Sequence, residues 1–431
     1  MSLHNQKATH NVVLYFQVHQ PVRLRPYRFF DIGSNGEYFD YDQNLTIMHR
    51  IARQSYLRTN ALILKIIRKY PQVKVAFSIS GITLEQMKDY AGDALDSFAE
   101  LAAHPSVEFL GETTHHSLAS LMPGDEFEIQ VLEHAGMMHD YFGVRPAVFR
   151  NTELIYNDEI GTRVEGLGFK GMILEGVDHI LGDRSPNHLY QHPDGVLNLL
   201  MRQYRLSDDI AFRFLHHTKF TAEKYISWLK ATPAHEQVIT LGMDYETFGE
   251  HYREETGIFH FLEKLLKGLA NDSSLQMMTP SEAMENTKPV YRIAIPEHIS
   301  WADRERNLSA WLSNDMQLDA FGTLTKLEHD VKLLNDQDIL ERWRKLQTSD
   351  HFYYMSTKRN DDGKVHSYFS HYESPYEAFM NYMNVLNDFS YQVGKRLKAV
   401  HQEAEGSLRA EAERREMKDP VWAVNLQEYA R

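Results

Sequence analysis

The chain has no cysteine in its 431 residues. That excludes disulfide scaffolding, thiol nucleophiles and thiolate metal sites. No run of roughly 18 or more apolar residues occurs, so no segment reads as a helix spanning a bilayer. The opening stretch, Met1 to His10, is polar and lacks the apolar core of a secretory leader, so a cytoplasmic location is expected. Positive charge is in short supply: 46 Lys and Arg stand against 60 Asp and Glu, a net charge of −14. That balance argues against nucleic acid or an anionic membrane as partner and favours an uncharged substrate. There is no glycine-rich phosphate loop, no short-period repeat and no compact ligand motif of zinc-site spacing. Neither a cofactor nor a metal is expected.

What is present is a large apolar fraction, 42%, and an aromatic content of 12%. The first suits a large core. The second suits stacking on flat faces such as sugar rings, although an aromatic core gives the same count. The chain is organised around Val238-Ile-Thr-Leu-Gly-Met-Asp-Tyr-Glu-Thr-Phe-Gly-Glu-His251. The run Val238 to Leu241 has the pattern of a buried strand. It gives way abruptly to Asp244, Glu246, Glu250 and His251, with Gly242 and Gly249 bracketing the change. A buried strand that ends in carboxylates delivers acids to the rim of a sheet, where β/α folds bind substrates. Alone, the segment reads equally as a solvated loop with Asp244 capping a helix.

Other strands end the same way. Asn11 to Val18 leads to His19-Gln20-Pro21. Val107 to Leu110 leads to Gly111-Glu112-Thr113-Thr114-His115-His116, and Ala147 to Phe149 leads to Arg150-Asn151-Thr152-Glu153. Further strands are expected at Val73 to Ile79, Gly168 to Leu174 and Gln276 to Thr279. Leu199 to Phe214 alternates irregularly. Helical stretches intervene at about Leu84 to Ala103, Glu126 to Phe142, Ala222 to Ala231 and Gly257 to Leu269. Strand and helix alternate over about 280 residues, the pattern of a parallel β/α fold. About seven strands favour a closed or nearly closed barrel.

After about Pro296 the pattern becomes helical. Leu324, Leu327, Val331 and Leu334 share one face, as do Tyr376, Phe379, Met383, Leu386, Phe389, Val393 and Leu397. Ser374-Pro375-Tyr376-Glu377 reads as a capping box with proline at the first helical position. Among these helices sits a polar, aromatic island, Gln347 to Met355, in which Asp350 and His351 have no packing task that leucine would not do better. Arg359 to Lys364 reads as a turn, and Gln402 to Asp419 as an exposed terminal helix or frayed tail. The expected division is residues 1–295 as a barrel and 296–431 as a helical bundle that completes the cleft.

In a parallel barrel the polar strand ends share one face. Two carboxylates there, one ionised and one protonated, are the minimum apparatus for glycoside hydrolysis. Arg150 would hold Glu153 ionised, whereas desolvation and a neighbouring carboxylate would raise the pKa of Asp244. Glu153 is then the nucleophile and Asp244 the acid and, later, the base. The competing reading gives His115, His116, His19 and Asp244 to a metal. Trp301, Trp311 and Trp343 are candidates for sugar stacking, Trp343 more naturally as core. Asp178, His179, Asp208 and Asp209 read as rim or loop residues.

Five blocks in order resemble glycoside hydrolase family 57, in its α-amylase-like branch: Phe16-Gln-Val-His-Gln-Pro21, Gly111 to Leu118, Phe149 to Leu154, Met243 to His251 and Gln347 to Met355. Ser309 to Gln317 is similar to that branch as well. The resemblance spans roughly residues 10 to 400. It implies an incomplete (β/α)7 barrel followed by a helical bundle, acting with retention on α-glucans. By motif, it implies Glu153 as nucleophile and Asp244 as acid/base. It adds His19, Gln20, Glu112, His115, His116, Arg150, Glu246, Trp311, Asp350 and His351 as candidates to bind substrate. The expected activity is hydrolysis of α-1,4-glucosidic bonds in starch, glycogen or maltooligosaccharides. A 4-α-glucanotransferase or branching enzyme would use the same intermediate, and a non-catalytic α-glucan-binding protein would use the same cleft.

Overall fold

The computed structural model describes residues 10–34, 36–216 and 220–418. The polar stretch from Met1 to Thr9 and the tail from Asp419 lie outside the described residues. Ten strands join in one sheet among the described residues: β1 His10–Val18, β2 Val75–Ile79, β3 Val107–Phe109, β4 Val148–Arg150, β5 Gly171–Glu175, β6 Leu189–Gln191, β7 Asn198–Arg202, β8 Val238–Asp244, β9 Leu275–Met278 and β10 Tyr291–Arg292. Parallel pairing runs in the order β3-β2-β1-β8-β7-β5-β4. A bridge from Gly111, just past β3, to Phe149 of β4 joins the two ends. The result is a (β/α)7-type barrel with two thin seams. One is that bridge; the other is the single pair Arg202–Thr240 between β7 and β8. β6 and β10 add a flap beside β7, and β9 takes the half of one β1 edge that β2 leaves free.

The apolar runs form strands that are buried on both faces, as parallel strands covered by helices are. Alternate residues point inward. Val13, Tyr15, Ala76, Val148, Ile173, Leu200 and Val238 form one enclosed cluster inside the ring. The residues between them, such as Val12, Leu14, Phe16, Phe77 and Leu241, pack outward against helices. The interior is tight: Gly242 pairs with Tyr15 across the β1–β8 ladder, and a Cβ there would lie 2.0 Å from the Tyr15 ring.

The expected helix over 84–103 is two, Gly81–Tyr90 and Gly92–Ala102, parted where Ala91 leaves helical geometry. The irregular Leu199 to Phe214 stretch resolves into β7 and the helix Tyr204–Ala211. The stretch 359–364, expected as a turn, starts the helix Asn360–Phe369. The helix Pro375–Lys418 begins at its proline. Ser374 Oγ accepts the N–H of Glu377, but the Glu377 carboxylate takes the N–H of Glu373 rather than that of Ser374, so only half of the box forms. From Lys398 to Arg414 every residue on this helix is exposed. Its buried residues Tyr382, Leu386, Phe389 and Val393 belong to one continuous cluster with Trp343, Phe149, Met172 and Leu174. Barrel and helices therefore share a core. No described helix is long and apolar enough to cross a membrane.

Candidate active site

Followed in twos past the apolar interior, the inward series of all seven ring strands turns polar at its C-terminal end: Gln17, Ser78, Glu112, Arg150, Glu175, Arg202 and Asp244. Four of these ends are legible in sequence. Ser78 is too bland to notice, and Glu175 and Arg202 neutralise each other at 2.9 Å. Over this layer opens a cavity of about 370 Å³, a size typical of small-ligand sites. Glu153, Asp244, Glu246, His19, Gln20 and His116 line it from the barrel. Trp301, Asp350, Tyr353 and Tyr354 close it from the later part of the chain.

An antiparallel bridge, Ser117–Thr348, brings that later part in. Leu118 N–H bonds to the Gln347 carbonyl at 3.1 Å and Ser349 N–H to the His116 carbonyl at 3.0 Å. The short helix Ser349–Tyr353 is thereby set against the barrel rim. Ser349 Oγ donates to Glu153 Oε1 at 2.9 Å, and Asp350 Oδ2 lies 3.0 Å from His19 Nε2.

Glu153 sits just past β4 with a left-handed backbone, φ 57°, uncommon for a residue with a Cβ. Both of its carboxylate oxygens are held: Oε1 by Ser349 with His116 Nε2 at 3.4 Å, Oε2 by Trp301 Nε1 at 2.7 Å. Burial would raise its pKa, but the hydrogen bond and charge of His116, aided by the charge of Arg150, outweigh burial and push it down. Arg150 acts from beneath the floor. It is fully buried, with its guanidinium 4.7 Å from the Trp301 ring, and does not line the cavity.

Asp244, the last residue of β8, accepts no hydrogen bond from any described residue and faces the cavity. Burial, and then the charge of Glu153, push its pKa up to about 6 against the pull of Arg150, Arg202 and His116. Glu246, two residues on, accepts from Tyr56 and from Gln20 Nε2, the latter at 3.4 Å. Burial and the charge of Asp244 push it up to about 8. His19 stacks on His116 with ring centroids 3.9 Å apart. Burial and the positive His116 lower its pKa. Neutral His19 donates Nε2–H to Asp350, which is ionised, and receives Ser80 Oγ–H at Nδ1, 2.7 Å away.

Several sequence candidates stand away from the cavity. His115 turns from His116 toward Glu341, 3.2 Å from Nε2. His351 bonds the Lys345 carbonyl at 3.2 Å and packs beside Tyr382. Trp311 is fully buried, behind Tyr353, and Trp343 is core; Trp301 is the indole in the cavity wall. Glu112 is fully buried beneath His116. Of the rim residues, Asp208 lines the cavity, held by Arg202 at 2.5 Å. Asp178 pairs with Arg205 near the surface. Tyr353 and Tyr354, from the Gln347 to Met355 block, also line the cavity, as do Arg23 and Arg306, which no motif announced. With His115 directed elsewhere, no three His, Asp or Glu among the described residues are placed to hold a metal ion.

The sequence model of the family described as "Glycosyl hydrolase family 57" matches residues 13–296. Over 428 residues the chain is 41% identical to a Methanocaldococcus jannaschii protein named "Putative alpha-amylase", covering 95% of this chain and 90% of that protein. Solved structures similar to it include the GH57-type branching enzyme of Pyrococcus horikoshii, with TM-score 0.62 and 14% identity over 84% of this chain and 87% of that one. The alpha-amylase AmyC of Thermotoga maritima matches with TM-score 0.58 and 12% identity over 90% and 94%. The 4-alpha-glucanotransferase of Thermococcus litoralis matches with TM-score 0.59 and 15% identity over 80% of this chain. The matched region spans 56% of that glucanotransferase's length. At these identities the structural likeness is one of fold.

Proposed function

This chain belongs to glycosyl hydrolase family 57, and from that premise we propose that it is a retaining α-glucan hydrolase. Its substrates are the α-1,4-glucosidic bonds of starch, glycogen or maltooligosaccharides. The observation that carries this reading is the opposite tuning of two cavity carboxyls. Glu153 is held ionised and fixed at both oxygens, while Asp244, unbonded, is pushed up to about 6. Pairs of carboxyls driven apart in this way divide into nucleophile and acid. Asp244 protonates the glycosidic oxygen as Glu153 attacks the anomeric carbon, forming a glycosyl-enzyme. Asp244, now ionised, then takes a proton from the water that releases the sugar. His19, Gln20, Glu246 and Asp350 face the same cavity and are assigned to sugar hydroxyls, Glu246 as a neutral donor. Trp301 offers a ring to a sugar face while its Nε1–H orients Glu153.

The name of the Methanocaldococcus jannaschii relative points the same way. Capture of the glycosyl-enzyme by a sugar hydroxyl instead of water would use the same residues and make a transferase. Incubation with maltoheptaose followed by product chromatography decides among the readings. Hydrolysis gives only shorter sugars. Transfer gives shorter and longer ones. An unchanged substrate would leave glucan binding without turnover.

A further inference from the structure

Behind the cavity wall lies a carboxylate that substrate does not reach. Glu112 is fully buried and does not line the cavity, yet it is surrounded by donors. Ser78 Oγ gives to its Oε2 at 2.6 Å, and Gln17 Nε2 gives to the same oxygen at 3.1 Å. His116 Nδ1 gives to its Oε1. The other nitrogen of the same ring, Nε2, lies 3.4 Å from Glu153 Oε1. We propose that Glu112 is a positioning residue of the reaction: it fixes His116 as a doubly protonated ring whose Nε2–H holds Glu153 ionised and oriented for attack. The proposal rests on the reading of Glu153 as the nucleophile.

With Glu112 and Glu153 both ionised, the ring between them is called on to donate twice. An ionised carboxylate only accepts, so a histidine between two of them must donate from both nitrogens. Burial alone would strip the extra proton from His116, but Glu112 first, and Glu153 after it, outweigh burial and hold the ring's pKa up to about 10. The same pairing, helped by Arg150 and Ser78, holds Glu112 down to about 2 despite its burial. The remaining groups around the ring agree. His19, stacked on it, is the neutral member of the pair, and its polar edge is turned to Asp350 and Ser80. The backbone supplies a separate sign. His116 has φ 48° and Glu153 has φ 57°, a region disfavoured for residues with a Cβ. The two partners of the contact are thus both held in conformations that the chain would not choose locally, as functional sites often are.

Glu112 could serve only to fill the barrel interior, and the experiment separates that role from the proposed one. Nitrogen-15 histidine spectra of the wild-type protein, with His116 assigned by the signal lost in His116→Gln, should show both ring nitrogens protonated from about pH 5 to 8, where free imidazole titrates. Titration near the ordinary value of about 6.5 would overturn the proposal on the wild-type spectra alone, whatever the Glu112 variants show. In Glu112→Gln the acid limb of the kcat/KM profile should move up by about 1 pH unit or more, as Glu153 loses a neighbouring positive charge. Glu112→Asp, which keeps the charge, should leave that limb in place even if it melts earlier. A limb unmoved in Glu112→Gln, with Glu153→Ala inactive, would refute this proposal alone. Full turnover by Glu153→Ala would refute the nucleophile reading instead, whatever the spectra show.

Discussion

At the scale of single residues, opposite roles for Glu153 and Asp244 give two predictions. Glu153→Ala should nearly abolish turnover, and azide should restore part of it as the β-glycosyl azide, because the anion attacks from the vacated face and inverts an α-linkage. Asp244→Ala should hurt most the substrates with poor leaving groups, which need a proton in the transition state. With an activated aryl α-glycoside, azide should intercept the glycosyl-enzyme by a second inversion and give the α-glycosyl azide. Azides of one configuration from both variants would overturn the assignment. The second prediction concerns pH. The acid must be protonated and the nucleophile ionised, so kcat/KM should fall as pH rises through about 6, the value for Asp244. It should fall again on the acid side below 4.5, where Glu153 lies. A profile still rising between pH 7 and 8 would contradict this order. The acids at the strand ends were legible because a buried strand cannot end in carboxylates without cause. Which of two neighbouring histidines faces the cavity was not, because that depends on the left-handed turn at His116. Trp301 and Trp311 likewise look alike in sequence, and only the path of the chain around Tyr353 buries one and exposes the other to the cavity.

At the scale of elements, strands and long barrel helices followed from periodicity. The helix Glu126–Phe142 has the bounds expected and ends at Gly143, φ 68°. Short or polar elements did not follow. β7 is five residues long and passes directly into a helix, so two periods blur into one stretch. The helix Asn360–Phe369 opens on Asn, Asp, Asp and Gly, all turn residues; His366 on Asp303 and Tyr353 ties its later turns down. Those ties are long-range and carry no local signal. The short helix bearing Asp350 depends on a neighbour in the same way. Gln317, fully buried in the helix Asp315–Lys326, donates Nε2–H to the carbonyls of Phe352 at 3.0 Å and Ala310 at 2.8 Å. Its Oε1 completes the capping box with Asn314. Gln317→Leu keeps the volume but leaves the Ala310 carbonyl and the N–H groups of Ser313 and Asn314 without their partner, and takes from the Phe352 carbonyl a donor additional to the Met355 N–H, a cost of about 1–3 kcal/mol. Urea melts should show that loss, and KM for maltoheptaose should rise because Asp350 and Tyr353 ride on the same helix. An unchanged melt together with unchanged kinetics would show that the support is not needed.

At the scale of the molecule, the expected boundary near residue 296 divides a strand pattern from a helical one, and we propose it as a change of architecture rather than a line of separation. Contacts that cross it are direct and buried. Tyr38 is 1% exposed; its hydroxyl donates to Asp388 at 2.6 Å and its ring lies 6.3 Å from Phe389. Glu126, fully buried, is paired with Arg344 at 2.6 Å and with Lys332 at 3.4 Å. Removing one partner of a buried ion pair costs about 3–5 kcal/mol, and uncovering one large apolar side chain about 1.5–3 kcal/mol. A protein is stable by only about 5–15 kcal/mol in all, so losing Arg344, Phe389 and the rest of their cluster together should exceed what the barrel can bear. The same cut also takes Ser349 from Glu153, Asp350 from His19 and Trp301 from the cavity wall. A chain ending at residue 296 is therefore expected to accumulate as insoluble protein, and any fraction recovered by refolding should leave maltoheptaose untouched. Soluble yield and product chromatography measure the two outcomes separately. A soluble, fully active barrel would show that the helices merely attend the site, and would return Ser349 and Asp350 to the status of bystanders.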